Sequence, residues 1–428
     1  MFGSQHKSCL QNLEEGRTLH NNELIPHLFR TEYRKIVSAL CKGFGFEHIE
    51  AAEDIASETF LAAAQTWGLK GIPDNPTAWL YKVAKNKARN FLSRDFIFDT
   101  KIAPELQRDS SIAQAEEPDL SPENFVDSQL QMMFAICHPS ISPESQIGLA
   151  LRILCGFGID EIADAFLTSR ETTNKRLYRA KEKLREEIIA IEFPAASEIE
   201  KRLDTVLTTV YLLFNEGYYS TSQNPTLRKD LCLEAIRLCT MLIEHERTDT
   251  PAANALLALM CFHASRFDAR TSQNGELVVY RDQDTSLWNN DLITRGGYYL
   301  NRSAKGNTIS KYHLEAGIAY WHTQKEDTKE KWENILQLHN TLLQIAYSPV
   351  VALNRTYALS KARGKREAIT EAEKLQLIDN QFYFALLGDL YTDIDNEKAK
   401  QNFEKALSLA KTDSDKNQLM KRVQQLKR

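Results

Sequence analysis

Residues 159–181 read IDEIADAFLTSRETTNKRLYRAK, and the fold class turns on this stretch. Asp160 is placed to cap a short helix whose inner residues are Ile162, Ala163 and Phe166. Ser169 is placed to cap a second helix, whose inner residues Thr173, Leu177, Ala180 and Leu184 follow at spacings of four, three and four. A short helix, a tight turn and a longer helix are the parts of a helix-turn-helix. The outer face of the second helix carries Arg170, Thr172, Asn174, Lys175, Arg176 and Arg179. Arginine and lysine bond guanine edges or phosphates, asparagine pairs with adenine, and a helix N-terminus favours phosphate. On this stretch alone two readings stand: a DNA-reading helix, or an amphipathic helix with a solvated basic face.

Upstream, Ile49, Ala52, Ile55, Ala56, Phe60, Ala63, Ala64 and Trp67 form one apolar stripe of an amphipathic helix. Gly68, Gly71 and the PDNP stretch at 73–76 are expected to break it. A further helix is expected from near Thr77, with Leu80, Val83, Ala84, Ala88 and Phe91 on its inner face. Between residues 78 and 94 it carries Lys82, Lys85, Lys87, Arg89 and Arg94 and not one carboxylate. Lys82, Lys85, Asn86, Arg89 and Ser93 share one face, with Trp79 and Tyr81 at its head. A cationic face beside aromatic rings and a polar loop suits an unstacked single strand. The alternative puts Trp79 in the core and leaves the lysines as solubilising charge. The preceding helix is the opposite case, with Glu50, Glu53, Asp54 and Glu58 on its polar side. Carboxylates repel phosphate, so that face should meet protein.

Residues 95–125 hold three prolines, a serine pair and eight acidic residues against two basic ones, and read as a linker. At Ser142-Pro143-Glu144 a capped helix is expected to restart and to stop at Gly156. Helical periodicity then returns from Glu198 to the end, with hairpins expected at 350–362 with 367–377 and at 382–391 with 397–409. Ala352-Leu353 and Ala385-Leu386 lie 33 residues apart, near the period of stacked helix pairs. The fold class is therefore all-α: two small helical modules, then a larger, repeat-like helical domain.

Composition agrees. The 428 residues suggest about three domains, and 43 % hydrophobic with 26 % charged residues is ordinary globular composition. Only 17 glycines and 12 prolines disfavour a turn-rich β fold. No apolar run approaches the roughly 18 residues of a membrane span, and MFGSQHKSCLQNLEEGRTLH lacks a leader's hydrophobic segment, so a cytoplasmic, membrane-free protein is expected. The seven cysteines (Cys9, Cys41, Cys137, Cys155, Cys232, Cys239, Cys261) form no C-x-x-C pair and are expected as small buried apolar residues. No glycine loop for nucleotides and no H-E-x-x-H occurs, and His313, His322 and His339 sit at no ligand spacing. Asp282, Asp284 and Asp291 suggest calcium, but Ser286 and Leu287 stand where an EF-hand needs Asp or Asn and then Gly. No catalytic residue, metal or cofactor is expected. FNEGYY at 214–219 is either a helix end with a packed tyrosine or part of a pocket or docking face.

AEDIASETFLAAA at 52–64 with GIPDNPTAWLYKVAKNKAR at 71–89 resembles region 2 of extracytoplasmic-function sigma factors, and LALRILCGFGIDEIADAF at 149–166, continued through Arg179-Ala-Lys, resembles their region 4. YLLFNEGY at 211–218 and DQDTSLW at 282–288 resemble the fused carboxyl-terminal extension of one sigma subgroup. The resemblance implies a sigma factor that binds core RNA polymerase and directs promoter recognition. It implies region 2 over about 20–95, an acidic linker over 96–126, region 4 over 127–192 and a regulatory helical extension over 193–428. By it, Glu53, Asp54 and Glu58 match residues that dock on the β′ clamp helices, and region 4 meets the β flap. The loop 71–77, with Asn75 and Thr77, would hold a flipped base of the −10 element. Lys82, Asn86, Arg89 and Asn90 would contact −10 DNA, with Trp79 and Lys85 beside them. Asn174, Lys175, Arg176 and Arg179, flanked by Arg170 and Thr172, match the −35 contacts. The linker would thread the RNA-exit path. The chain departs at Thr173, where many relatives carry an aliphatic residue, which implies looser packing. Melting DNA costs about 1.4 kcal/mol per stacked step, more than so small a module can offset over several steps, so polymerase is expected as an obligate partner. An intramolecular contact between the extension and the DNA-binding modules is expected. Rival readings are a helix-turn-helix regulator acting without polymerase, a sigma module carrying a ligand-binding half, and a helical-repeat adaptor.

Overall fold

Most helix starts here are written in one or two residues. Ser121, Ser142, Ser169, Thr250, Thr328 and Ser348 each accept a backbone N–H from the third residue onward, and proline follows at 122, 143, 251 and 349. The computed structural model describes residues 21–101, 119–218, 225–270, 278, 280–410 and 413–426. Among them the chain is helical, with no strand. Cys9 and linker residues 102–118 lie outside the described residues.

The chain divides into two compact units, residues 1–234 and 235–428. The first holds α1 (Asn21–Phe44), α2 (Ile49–Lys70), α3 (Pro76–Lys101), α4 (Pro122–Ile136), α5 (Pro143–Leu149), α6 (Ile159–Ala165), α7 (Arg170–Glu186) and α8 (Ala196–Tyr218), and ends within α9 (Pro225–Glu244). α1 packs on α2, α3 and α4, with Tyr33, Ile36, Leu40, Ile49, Ala52 and Leu80 fully buried. α8 packs on α4 and α5: Thr209 donates to Gln146 Oε1 at 2.8 Å, and Arg202 to the Phe134 carbonyl at 2.7 Å. The extension expected from residue 193 thus does not part from the first unit there.

Several local expectations need correction. α2 continues through Gly68 and stops at Gly71, whose φ of 82° needs a residue without Cβ. α3 starts at Pro76, capped by Asn75, and runs beyond residue 94 to Lys101. Together with α4 it draws both ends of the expected linker into helix. α5 does not run on as an α-helix to Gly156; residues Ala150–Leu154 form a π turn. Asp160 is not the cap of α6. Gly158 takes that place, and its N–H donates to Glu161 Oε2 at 2.8 Å. Thr173 is not loosely packed: it is buried, with its hydroxyl 3.0 Å from that of Thr168.

The second unit holds the rest of α9 and then α10 (Pro251–Ala264), α11 (Asn290–Ser303), α12 (Lys311–Thr323), α13 (Lys329–Ile345), α14 (Pro349–Arg363), α15 (Lys365–Leu375), α16 (Gln381–Tyr391), α17 (Asn396–Leu409) and α18 (Asp413–Gln425). Neighbouring helices pack as successive pairs, α13 on α14, α14 on α15, α16 on α17 and α17 on α18. The two expected hairpins fall within a residue or two of α14–α15 and α16–α17. Gly364, at φ 106°, makes the turn between the first pair. Gly296 and Gly388 lie flat against the rings of Phe262 and Phe403, where a Cβ would stand 2.6 Å from ring carbon.

Candidate functional site

α6, the turn at 166–169 and α7 reproduce the short-helix, turn, long-helix arrangement, with Leu167 at φ 50° in the turn. Ser169 Oγ accepts the Thr172 N–H, leaving the first turn of α7 pointing outward. Buried Thr173, Leu177, Ala180 and Leu184 face inward, and Leu177 closes on Gly148 of α5, where a Cβ would lie 2.9 Å away. Arg170, Thr172, Asn174, Lys175 and Arg179 are exposed. Arg176 is half-buried, its guanidinium 5.6 Å from the centre of the Phe166 ring. Arg170 also stands 3.6 Å from Asp160. The outer face of α7 is thus a solvent-facing stripe of cations and amides.

On α3, Lys82, Asn86, Arg89 and Asn90 are exposed and Lys85 is half-buried. The buried face, Leu80, Ala84 and Ala88, fixes their direction by helical period. Asn75 is exposed, but its Oδ1 accepts the Ala78 N–H at 2.9 Å, so it serves first as a cap. Trp79 is half-buried against Trp67, ring centres 5.4 Å apart, and Thr77 is half-buried. Tyr81 does not lie open beside the cations: its hydroxyl donates to Glu32 and its ring packs 4.8 Å from Phe125. Burial and the Glu32 carboxylate push that hydroxyl's pKa up.

The acidic side of α2 splits. Asp54 and Glu58 are exposed, Glu58 pairing with Lys87 at 2.5 Å. Glu53, expected beside them as a docking residue, is buried. Its Oε1 accepts from Arg152 Nε at 2.9 Å, and its Oε2 is held by Lys181. Arg185 pairs with Glu50. Burial and the Glu53 charge push the Tyr33 hydroxyl up to about 12. These partners, with Arg30 and Arg34 on α1, are the residues that sequence reasoning missed. Nothing local to Lys181 names a partner 128 residues away.

Other candidate features are structural. Phe214 and Tyr218 are buried and stacked, ring centres 5.5 Å apart. The Asp284 carboxylate caps a short 3-10 turn through the Ser286 N–H at 2.8 Å, and Trp288 is buried. His313 bonds Ser310 and the Ser303 carbonyl, and His322 and His339 are enclosed. Cys41, Cys137, Cys155, Cys232, Cys239 and Cys261 are buried. Among the described residues no helix is long and apolar enough to cross a membrane, and no His/Cys/Asp/Glu group could hold a metal. A groove of about 580 Å³ between α13, α14 and α15 is lined by Gln337, Asn340, Tyr347, Arg355 and Lys374, with Arg355 paired to Glu371 across it.

Comparison with known proteins adds three findings. Residues 29–95 match sigma-70 region 2, and residues 202–304 match a family of unknown function, DUF6596. An uncharacterized protein of Rhizobium meliloti (strain 1021) is 33 % identical over 371 residues, covering 85 % of this chain and 87 % of that one. No solved structure matches.

Proposed function

The chain belongs to the sigma-70 family, with a DUF6596 carboxyl-terminal domain, and from that premise we propose a promoter-specificity subunit of the extracytoplasmic-function type. Family members are non-enzymatic transcription initiation factors, and region 2 implies binding of core RNA polymerase and promoter DNA. The observation that carries the finer reading is the pair of solvent-facing cationic stripes on α3 and α7, set by buried faces within one compact unit. In it α7 reads the −35 element through Asn174, Lys175, Arg176 and Arg179, flanked by Arg170 and Thr172. The loop at 71–77 and Lys82, Lys85, Asn86, Arg89 and Asn90 on α3 hold the −10 strand, with Trp79 supporting the loop through Trp67. Asp54 and Glu58 dock on the β′ clamp helices, the helix-turn-helix meets the β flap, and the carboxyl-terminal helices regulate the whole.

In vitro transcription with bacterial core polymerase and a randomised promoter library tests this. The expected outcome is enrichment of two short motifs at a fixed spacing, lost for the −10 motif alone when Lys82 and Asn86 are both replaced by alanine. Tight binding to one operator without polymerase, unaffected by that variant, would instead favour a helix-turn-helix regulator.

A further inference from the structure

Lysine is almost never fully buried unless it is paired, yet Lys331, in the first turn of α13, is only 2 % exposed. Its Nζ bonds two neutral oxygens, the Tyr280 hydroxyl at 3.0 Å and the Gln324 carbonyl at 2.8 Å. An ammonium has three N–H donors, so one remains. A second cation, Arg266, is 6 % exposed and lies over the same ring: its guanidinium and the Lys331 Nζ each stand 5.4 Å from the Tyr280 centre. The positive end of the α13 helix dipole adds to these charges. Asp327, whose charge reaches Lys331, is exposed and accepts instead from Lys361 at 3.1 Å and from the Trp332 indole. Burial holds the Lys331 pKa below the ordinary lysine value, with Lys361 and Arg266 pushing the same way and Asp327 opposing.

Polar atoms around the same ring point the same way. Among the described residues, Trp288 Nε1, His322 Nδ1 and Gln283 Oε1 are out of solvent and have no hydrogen-bond partner. Trp288 is 5 % exposed and stacks on Tyr280, ring centres 6.3 Å apart, while His322 meets that ring edge-on at 4.9 Å. Gln283 closes the turn that follows, its N–H on the Tyr280 carbonyl at 3.3 Å. The large majority of buried side-chain polar atoms are bonded, so three such atoms around one ring mark a place built for a partner from outside the chain. The indole is a donor only and the Gln283 oxygen an acceptor only. Two buried cations beside them call for negative charge.

We propose that Arg266, Gln283, Trp288, His322 and Lys331 form a binding site in the second unit for a small oxyanion that also carries a hydroxyl, the chemistry shared by hydrogenphosphate and the hydroxycarboxylates. The third Lys331 N–H, the Trp288 N–H and the Arg266 charge serve its oxygens, Gln283 Oε1 accepts from its hydroxyl, and His322 Nδ1 takes either role by its choice of tautomer. Residues 202–304, the part that matches DUF6596, supply Arg266, Gln283 and Trp288, and α12 and α13 supply the rest. An effector held there sits in the half of the chain to which the sigma reading gives regulation; the binding itself does not rest on that reading.

The test titrates the full chain, without polymerase, with inorganic phosphate, lactate and acetate in turn at one ionic strength, by calorimetry and by tryptophan emission. Phosphate or lactate is expected to saturate with a midpoint at or below about 1 mM, and whichever binds tighter names the source of the oxyanion. Acetate, which lacks the hydroxyl, is expected to bind several-fold more weakly. Trp288→Phe should weaken binding by about tenfold, the worth of one hydrogen bond to a charged group, without lowering the melting temperature, because it deletes an N–H that the chain leaves unbonded. Lys331→Met should abolish the saturable phase, and Trp288→Phe decides the matter if that variant loses its helical circular dichroism. No saturable binding of phosphate or lactate, or binding that both variants leave unchanged, overturns the site. Acetate binding as tightly as the other two overturns the role given to Gln283.

Discussion

Arg179 and Lys181 stand two positions apart on α7 and meet different fates: one side chain is exposed, the other buried on a carboxylate from α2. Helical period separates them, because two residues turn the helix by about 200°. The sequence therefore shows which residues leave the reading face but not what receives them. The same limit hid Glu53, which reads as one of four carboxylates on a polar face until Arg152 and Lys181 arrive from elsewhere in the chain. The solvent-facing side of α7 was legible, since Arg170, Thr172, Asn174, Lys175 and Arg179 are all exposed as the period requires. Arg179→Ala should cut promoter-directed transcription by roughly 1–3 kcal/mol of binding if it reads a base, and leave the melting temperature alone. Arg176→Ala should do both, because it also removes a contact with Phe166 of about 0.5–1 kcal/mol. Run-off transcription and thermal melts on the same preparations check the pair. A melting temperature equally unchanged in both variants would remove Arg176 from the packing of the turn.

At the scale of elements, helix starts were legible at Ser142 and Ser169, where a serine side chain closes them, but the same kind of start at Ser121-Pro122 was hidden inside the stretch read as a linker. They were misread at α6, where glycine supplies the cap position and Glu161 the hydrogen bond. The π turn after α5 was not read from the sequence; its residues Ala150–Leu154 pack on α1 and α4, partners distant in the chain or outside the local period. Buried histidines give elements α12 and α13 a measurable property. Burial, then the positive charges of Arg266 and Lys331, hold His322 down to about 3; burial alone holds His339 down to about 4. The unfolded chain takes up these protons near pH 6.5, so it binds more protons than the fold below that point. Stability is thus complete above about pH 6.5 and falls as pH drops from there toward 4, by up to about 1.4 kcal/mol per pH unit for each histidine. Melting curves of the full chain should shift downward between pH 7.5 and 5, and His339→Leu should flatten the slope. A melting temperature constant over that range would contradict the burial of both rings.

For the molecule as a whole, a helical amino-terminal half and a helical carboxyl-terminal half were legible, but the place where one ends was not. Residue 193 looked like a boundary because the reading helix has just finished and a new periodic run begins. Packing places it elsewhere. α8 buries Leu203, Val206, Leu207, Val210, Leu213 and Phe214, and Asp230 and Glu234 of α9 reach back to Arg30 and Arg34. Full burial of one large apolar side chain stabilises by about 1.5–3 kcal/mol, so even the part of that face lying on α4 and α5 is a large fraction of a domain's net stability. A chain ended after Glu244 should therefore keep cooperative melting and helical circular dichroism. One ended after Pro194 should melt far lower or aggregate, because the Phe134 carbonyl loses its donor Arg202 and Gln146 loses its partner Thr209. Equal melting temperatures for the two truncations would return the boundary to residue 193 and reduce α8 to a spacer.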